Sequence, residues 1–292
     1  MPPPRFEPIP ETFWRELPAK HDRIAVGSLN VLNNCFQYAQ PQSHGYSSWG
    51  YTVLRTVYTP ESDALFPVAM ERLKRLIRYW CHYTRFQAYG AYCEESKIDY
   101  AEPNEELFRR CFLDVVEDRE GLAHLDSGSD NSPDRFTALA DYFRQWLAGI
   151  DTGNSLNIDP RFSSCLAIDS ESLALLAAIP DELPVLQCPA TRKDKADTLG
   201  TGYPAWLWLI EARYMAQPAR HRGPYPGWLR LEPRDILTTW DDHWSVNNSH
   251  RRFCLGHEET PQGSGIYYYN RERWLCIEDE ETPDGSGDYY FN

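Results

Sequence analysis

From residue 49 onward, apolar and polar positions fall into blocks whose periods name their structure. Trp49–Tyr58 (WGYTVLRTVY) is dense in β-branched and aromatic residues, which predicts a strand. Residues 59–63 (TPESD) read as a turn. Phe66, Met70, Leu73, Ile77 and Trp80 then recur at steps of four and three, the spacing of one helical face. Pro67 fits such a helix only in its first turn. Residues 81–103 carry no clear period. Leu107, Phe108, Cys111, Phe112, Val115 and Val116 repeat every four residues with charges between them, which predicts a second helix over Asn104–Arg119. Residues 126–133 (DSGSDNSP) form a loop. Ser132 is placed to cap a third helix, with Pro133 at its first position and Asp134 at its positive end. Phe136, Leu139, Ala140, Phe143 and Leu147 make its buried face, and Gly149 ends it.

Shorter elements follow. Phe162–Asp169 reads as a strand, Ser170–Ala178 as a short helix and Pro184–Cys188 as a strand. Ala205–Ala212 (AWLWLIEA) is a buried strand, Gly227–Leu231 another, and Asp235–Trp244 a short helix or loop. Strands and helices mix without strict alternation. That order predicts an α+β fold, with one mostly antiparallel sheet and helices packed on one face, a ferredoxin-like sandwich being one such arrangement. Three regions result: a Pro-rich leader over 1–47, an α+β core over 48–250, and a distinct tail over 251–292.

The tail repeats itself. Arg251–Asn270 (RRFCLGHEETPQGSGIYYYN) and Arg273–Asn292 (RWLCIEDEETPDGSGDYYFN) match at 12 of 20 positions with an offset of 22 residues. Each copy runs from an apolar stretch through an acidic turn rich in Pro and Gly to an aromatic stretch. The pattern predicts a β-hairpin per copy. Because a lone hairpin is marginal in water, the copies need each other or the core for support. The order Trp274, Thr-Pro-Asp-Gly, Tyr289-Tyr290-Phe291 resembles the first two strands of a WW domain, whose aromatic patch binds Pro-rich peptides. It departs from that family in a longer Trp-to-Tyr interval and in lacking a second Trp.

Charge and cysteine content narrow the function classes. The net charge is −14. Residues 253–292 hold nine acidic and two basic residues, so −7 of it lies in the tail. A phosphate backbone is repelled by such a chain, and nucleic acid is not expected as a partner. Arg72, Lys74, Arg75 and Arg78 form the one basic cluster, read as the solvated side of a helix. With 10 Trp, 18 Tyr and 12 Phe, aromatics are plentiful enough for both a core and a binding surface. The eight cysteines include no C-x-x-C pair, so no structural zinc site is signalled. No apolar run is long enough to span a membrane, and the first residues lack an apolar signal core. An intracellular, cytoplasmic setting with free thiols is expected.

Several segments together resemble an uncharacterised family of filamentous-ascomycete proteins. They are WGYTVLRTVYTPESD with its helix, NEELFRRCFLDVVEDRE, Phe143–Trp146, DPRFSSCLAIDSESL and GWLRLEP. The resemblance spans residues 47–245 and implies a stand-alone intracellular domain. It implies no activity.

Few constellations carry chemistry. Arg55 lies within a strand, where a charge must be paired or at an edge. Asp169 and Glu171 follow a later strand. An Arg holding an anionic substrate beside a carboxylate base would make a transferase or hydrolase site. The other reading is a structural ion pair, with Asp169 capping a helix. Asp241, His243 and His250, with His257 beyond, are candidates for a divalent metal, or else a polar linker. No Gly-rich phosphate loop precedes a helix, and no cofactor is expected. The leading expectation is therefore a protein-interaction module whose tail binds a protein partner through Trp274, Tyr267, Tyr268, Tyr289 and Tyr290. The alternatives are an enzyme using Arg55 and Asp169, and a tail that is purely structural.

Overall fold

The computed structural model describes residues 48–83, 101–126, 132–150, 160–183, 204–218, 225–244, 254–255 and 268–269. In chain order the elements are β1 (Trp49–Arg55), α1 (Pro60–Tyr83), α2 (Ala101–Arg109), β2 (Cys111–Val116), α3 (Arg119–Leu122), α4 (Pro133–Ala148), β3 (Cys165–Ile168), α5 (Ser170–Ala177), β4 (Leu207–Ile210), α6 (Ala212–Met215), β5 (Trp228–Leu231) and α7 (Ile236–Trp244). Two-residue strands β6 (Cys254–Leu255) and β7 (Tyr268–Tyr269) follow in the tail. The strands form one sheet in the order β2-β1-β3-β4-β5-β7-β6. The rest of the two tail copies, and the predicted strand Pro184–Cys188, lie outside the described residues.

The class is α+β, and two details of the expectation change. First, the sheet is mixed rather than mostly antiparallel. β1 runs parallel to both β2 and β3, whereas β3-β4 and β4-β5 are antiparallel. Second, helices cover both faces. Trp49, Tyr51 and Val53 of β1, Leu166 and Ile168 of β3, and Leu207 and Leu209 of β4 pack with α1, α5 and α7 through Phe66, Leu73, Ile77, Leu173, Leu176 and Trp240. The alternate residues Leu54, Cys165, Ala167, Trp208 and Ile210 pack on the other side with Phe136, Leu139, Phe143 and Leu147 of α4. Side chains alternate along a strand, so two separate apolar clusters mean two covered faces and three layers.

The helix expected over Asn104–Arg119 is half strand. α2 stops at Arg109, the Arg110 carbonyl accepts from the Trp49 amide at 3.0 Å, and Cys111 opens β2 opposite Trp49. A spacing of four satisfies a 3.6-residue helix and a two-residue strand alike, so Cys111 and Val115 share a face in either state. Val115 and Val116 favour the strand, and β1 offers it a partner. The Trp49 indole fixes the junction by donating to the Leu107 carbonyl at 2.7 Å.

α1 starts earlier than the apolar spacing indicated. Thr59 and Ser62 cap it reciprocally: the Thr59 amide donates to Ser62 Oγ at 2.7 Å, and the Ser62 amide to Thr59 Oγ1 at 3.1 Å. Pro60 takes the first position, which leaves Pro67 inside the helix rather than in its first turn. α4 matches its expected form. Ser132 accepts from the Arg135 amide, Pro133 and Asp134 open the helix, and the five predicted apolar residues are all buried.

Gly50 and Gly149 make opposite demands. Gly50 has φ +131°, and a methyl there would overlap the Phe112 carbonyl oxygen across the β1–β2 pair. Gly149 has an ordinary right-handed φ of −83°, and a methyl there meets nothing nearer than the Trp146 carbonyl oxygen at 3.4 Å. Gly50→Ala is expected to lose at least about 1–3 kcal/mol to backbone strain alone. Gly149→Ala is expected to stay within about 1 kcal/mol of the parent. Urea unfolding followed by Trp fluorescence checks both.

Candidate functional site at the ends of the parallel strands

Strands β2, β1 and β3 run the same way, and their connections diverge. The chain leaves β1 through α1 and α2 on the first face to reach β2. It leaves β2 through α3 and α4 on the second face to reach β3. β3 leads into α5, which packs on the first face with α1, so the connections part to opposite sides between β2 and β1. In parallel sheets, the crevice beyond the carboxyl ends at such a point is the usual ligand position. The carboxyl ends of the three strands carry Arg55 at the end of β1 with Thr56 after it, Glu117 and Asp118 after β2, and Asp169 after β3.

Arg55 is buried on the first face. It forms ion pairs with Asp63 and, at 3.2 Å, with Glu117 Oε2. Its Nε donates to the Val57 carbonyl at 2.9 Å. The guanidinium carbon lies 4.6 Å from the Phe66 ring centre and 4.8 Å from that of Tyr58. Asp63 also accepts from Arg119 at 3.1 Å, and Arg119 covers Tyr58 in turn. Burial pushes the Tyr58 phenol up. Nearby, Asp118 caps α3 by accepting from the Gly121 amide at 3.0 Å, and it takes the Tyr142 hydroxyl at 2.8 Å. The Gly121 N–H and then the Tyr142 O–H hold the Asp118 carboxyl below its usual range. Burial, reinforced by the Asp118 carboxylate, raises the Tyr142 phenol.

Asp169 is fully buried and belongs to the second face. Its Oδ1 accepts from the Ser172 amide at 2.9 Å and the Ser172 hydroxyl at 2.8 Å. Its Oδ2 accepts from the Trp208 indole at 2.6 Å and Arg135 Nη2 at 3.1 Å. The Asp169 amide closes a capping box on Ser172 Oγ at 2.9 Å. Burial works to raise this carboxyl. The Ser172 amide, the Trp208 indole, the Ser172 hydroxyl and Arg135 together outweigh it, and the group titrates below its ordinary value.

Arg55 and Asp169 are thus neighbours along the sheet that do not serve each other. Arg55 pairs in register with Ile168, and the Thr56 amide and hydroxyl both donate to the Ile168 carbonyl, at 3.1 and 3.2 Å. The two charges leave that junction toward opposite faces, Arg55 to Asp63 and Glu117, Asp169 to Arg135. Glu171 lies in the first turn of α5, more than half exposed, with Arg230 at 3.5 Å. Arg230 sits 4.0 Å over the Trp206 ring. Asp241 and His243 fall on α7, and His250 lies outside the described residues. Among the described residues no group of three potential metal ligands comes together. Of the tail candidates, Tyr268 lies in β7, while Tyr267, Trp274, Tyr289 and Tyr290 are outside the described residues.

The basic cluster of α1 is not simply solvated. Arg72 donates to the Ala177 carbonyl, and to Asp181 at 3.0 Å. Arg75 reaches the Pro180 carbonyl at 3.0 Å, and Arg78 pairs with Glu105 at 2.9 Å. Arg72 thereby satisfies the last carbonyl of α5, where cations are favoured, and Arg75 holds the loop just beyond it. The partners that matter most to the site, Arg135 and Trp208, escaped sequence reasoning. Arg135 lies outside the apolar stripe predicted for α4, and Trp208 is one apolar residue among several in a buried strand.

No protein-family model matches the chain, and no curated protein or solved structure matches it either. Among the described residues no helix is long and apolar enough to cross a membrane.

The Asp169 assembly makes acid stability predictable. Because its folded pKa is depressed, its contribution is fully present above the unfolded value of about 3.9. The contribution fades as pH falls through the folded pKa. Asp169→Asn removes the charge facing buried Arg135 and is expected to cost about 3–5 kcal/mol at neutral pH. It is also expected to flatten the acid limb of the stability profile. Urea midpoints measured from neutral pH down to pH 3 check both effects.

Proposed function

We propose that this chain is an intracellular protein-interaction module: an α+β core that presents an acidic, aromatic, duplicated tail to a protein partner. The observation that carries the reading is the repeat, two 20-residue units rich in Tyr and carboxylate at an offset of 22. Aromatic residues supply large contact area at low entropic cost, and the carboxylates steer a basic partner. A net charge of −14 opposes any phosphate backbone. The commitments of Arg55 and Asp169 add support, since each is engaged by its own partners on its own face.

Two specific observations keep the alternatives alive. The carboxyl ends of the parallel strands, where ligands usually sit in such sheets, favour a transferase or hydrolase at Arg55, Asp169 and Glu171. The pairing of Tyr268 with Arg230 favours a tail that only covers the core.

Affinity capture with the full chain and with a chain ending at Arg252 separates these readings. The full chain is expected to hold a partner set that the shorter chain lacks, that Tyr289→Ala with Tyr290→Ala depletes, and that rising salt weakens. Identical sets from both chains would sink the proposal.

A further inference from the structure

The outer edge of the sheet and the duplicated tail fit each other. The Gly227 carbonyl accepts from the Glu211 amide at 2.8 Å, so Gly227 faces β4. Alternation by two turns the backbone groups of Leu229 and Leu231 the same way, and aims those of Trp228 and Arg230 outward. Arg230 is where β7 joins, in parallel, opposite Tyr268. Beyond it, Tyr268 and Tyr269 pair with Leu255 and Cys254. Each of these four tail residues has a counterpart 22 positions later: Tyr290, Phe291, Ile277 and Cys276. Two are identical, and the others exchange Tyr for Phe and Leu for Ile, which keeps strand preference. When a strand adds to an edge, main-chain bonds supply affinity while side chains choose face and register. Whatever seats the first copy is therefore present in the second.

We infer that β5 is a docking edge with two interchangeable occupants from this chain, Tyr268–Tyr269 of the first copy and Tyr290–Phe291 of the second. The edge takes one strand at a time, so only one copy can hold it. A protein partner would take the copy that does not hold the edge, and this last step alone rests on the function proposed above. The duplication then keeps the β5 edge covered while a partner holds one copy, which a single hairpin cannot do.

Hydrogen exchange at the Arg230 amide in the full chain tests the exchange directly. In a parallel pair the outward groups of Arg230 bond the residues that flank Tyr268, so the Tyr269 amide is the donor a proline would remove. The variants are Tyr269→Pro, Phe291→Pro and both together. The Val53 amide of β1 reports whether the core stays folded. Each single variant is expected to keep Arg230 exchange within about threefold of the parent, and the double variant to speed it at least tenfold, with Val53 unchanged in all. Loss of protection in Tyr269→Pro alone would show that the second copy cannot substitute. Protection that survives in the double variant would show that neither copy covers the edge. Either result overturns the inference. An exchange pattern as expected, combined with identical partner sets from the capture experiment, would reject the partner-binding role and leave the edge exchange standing.

Discussion

The fold turns on a carboxylate that water never reaches. A buried charge is tolerated only when its neighbours replace the solvent, and Asp169 has four donors to do so. Those donors come from separate places: the start of α5, strand β4, and helix α4 on the second face. Asp169 ends the strand that joins the parallel and antiparallel halves of the sheet, and it also begins a helix that covers the first face. One side chain thus sets where β3 stops, how α4 sits over Trp208, and where α5 departs. Aromatic packing surrounds the same point, with Phe136 against Trp208 at 4.8 Å and against Trp228 at 4.7 Å.

Arg55 repeats the scheme with the opposite sign. It ends the middle strand of the parallel three, is buried, and is matched by carboxylates from α1 and from the residue after β2. The strand ends are therefore lined with charges that the frame itself uses. The exposed members of this set are Asp63, Glu117 and Arg119. Any ligand arriving there meets an existing ion network and has to compete with it.

Local signals were legible in the sequence, and long-range ones were not. Helix α4 could be drawn with its cap and buried face, because Ser132-Pro133-Asp134 and the apolar stripe act within a few residues. The cap on α5 was readable from Asp169-Ser170-Glu171-Ser172 for the same reason. Arg135, the ionic partner of that cap, is 34 residues away, and nothing in its own segment marks it. The sheet's two covered faces did leave a trace. β1, β3 and β4 are buried at every position, and WLWLI is apolar throughout, the signature of a strand packed on both sides. Strand β2 was ambiguous for an arithmetical reason, since a spacing of four fits both periods. Its parallel pairing with β1 decided the matter, and pairing is invisible to a local window.

The placement of β1 has a consequence for biosynthesis. It is the central strand of the parallel set, yet it precedes both of its neighbours in the chain. Its neighbours are β2 at 111–116 and β3 at 165–168. During translation the apolar stretch Trp49–Arg55 leaves the ribosome well before either partner exists, with both of its edges unpaired. Sequence-distant, parallel pairings form late, and an exposed strand of this composition is prone to aggregate while it waits. Helix α1, which follows at once and packs its apolar stripe over Tyr51 and Val53, is the available early shield. The middle strand of the parallel set depends for its first protection on the segment made directly after it.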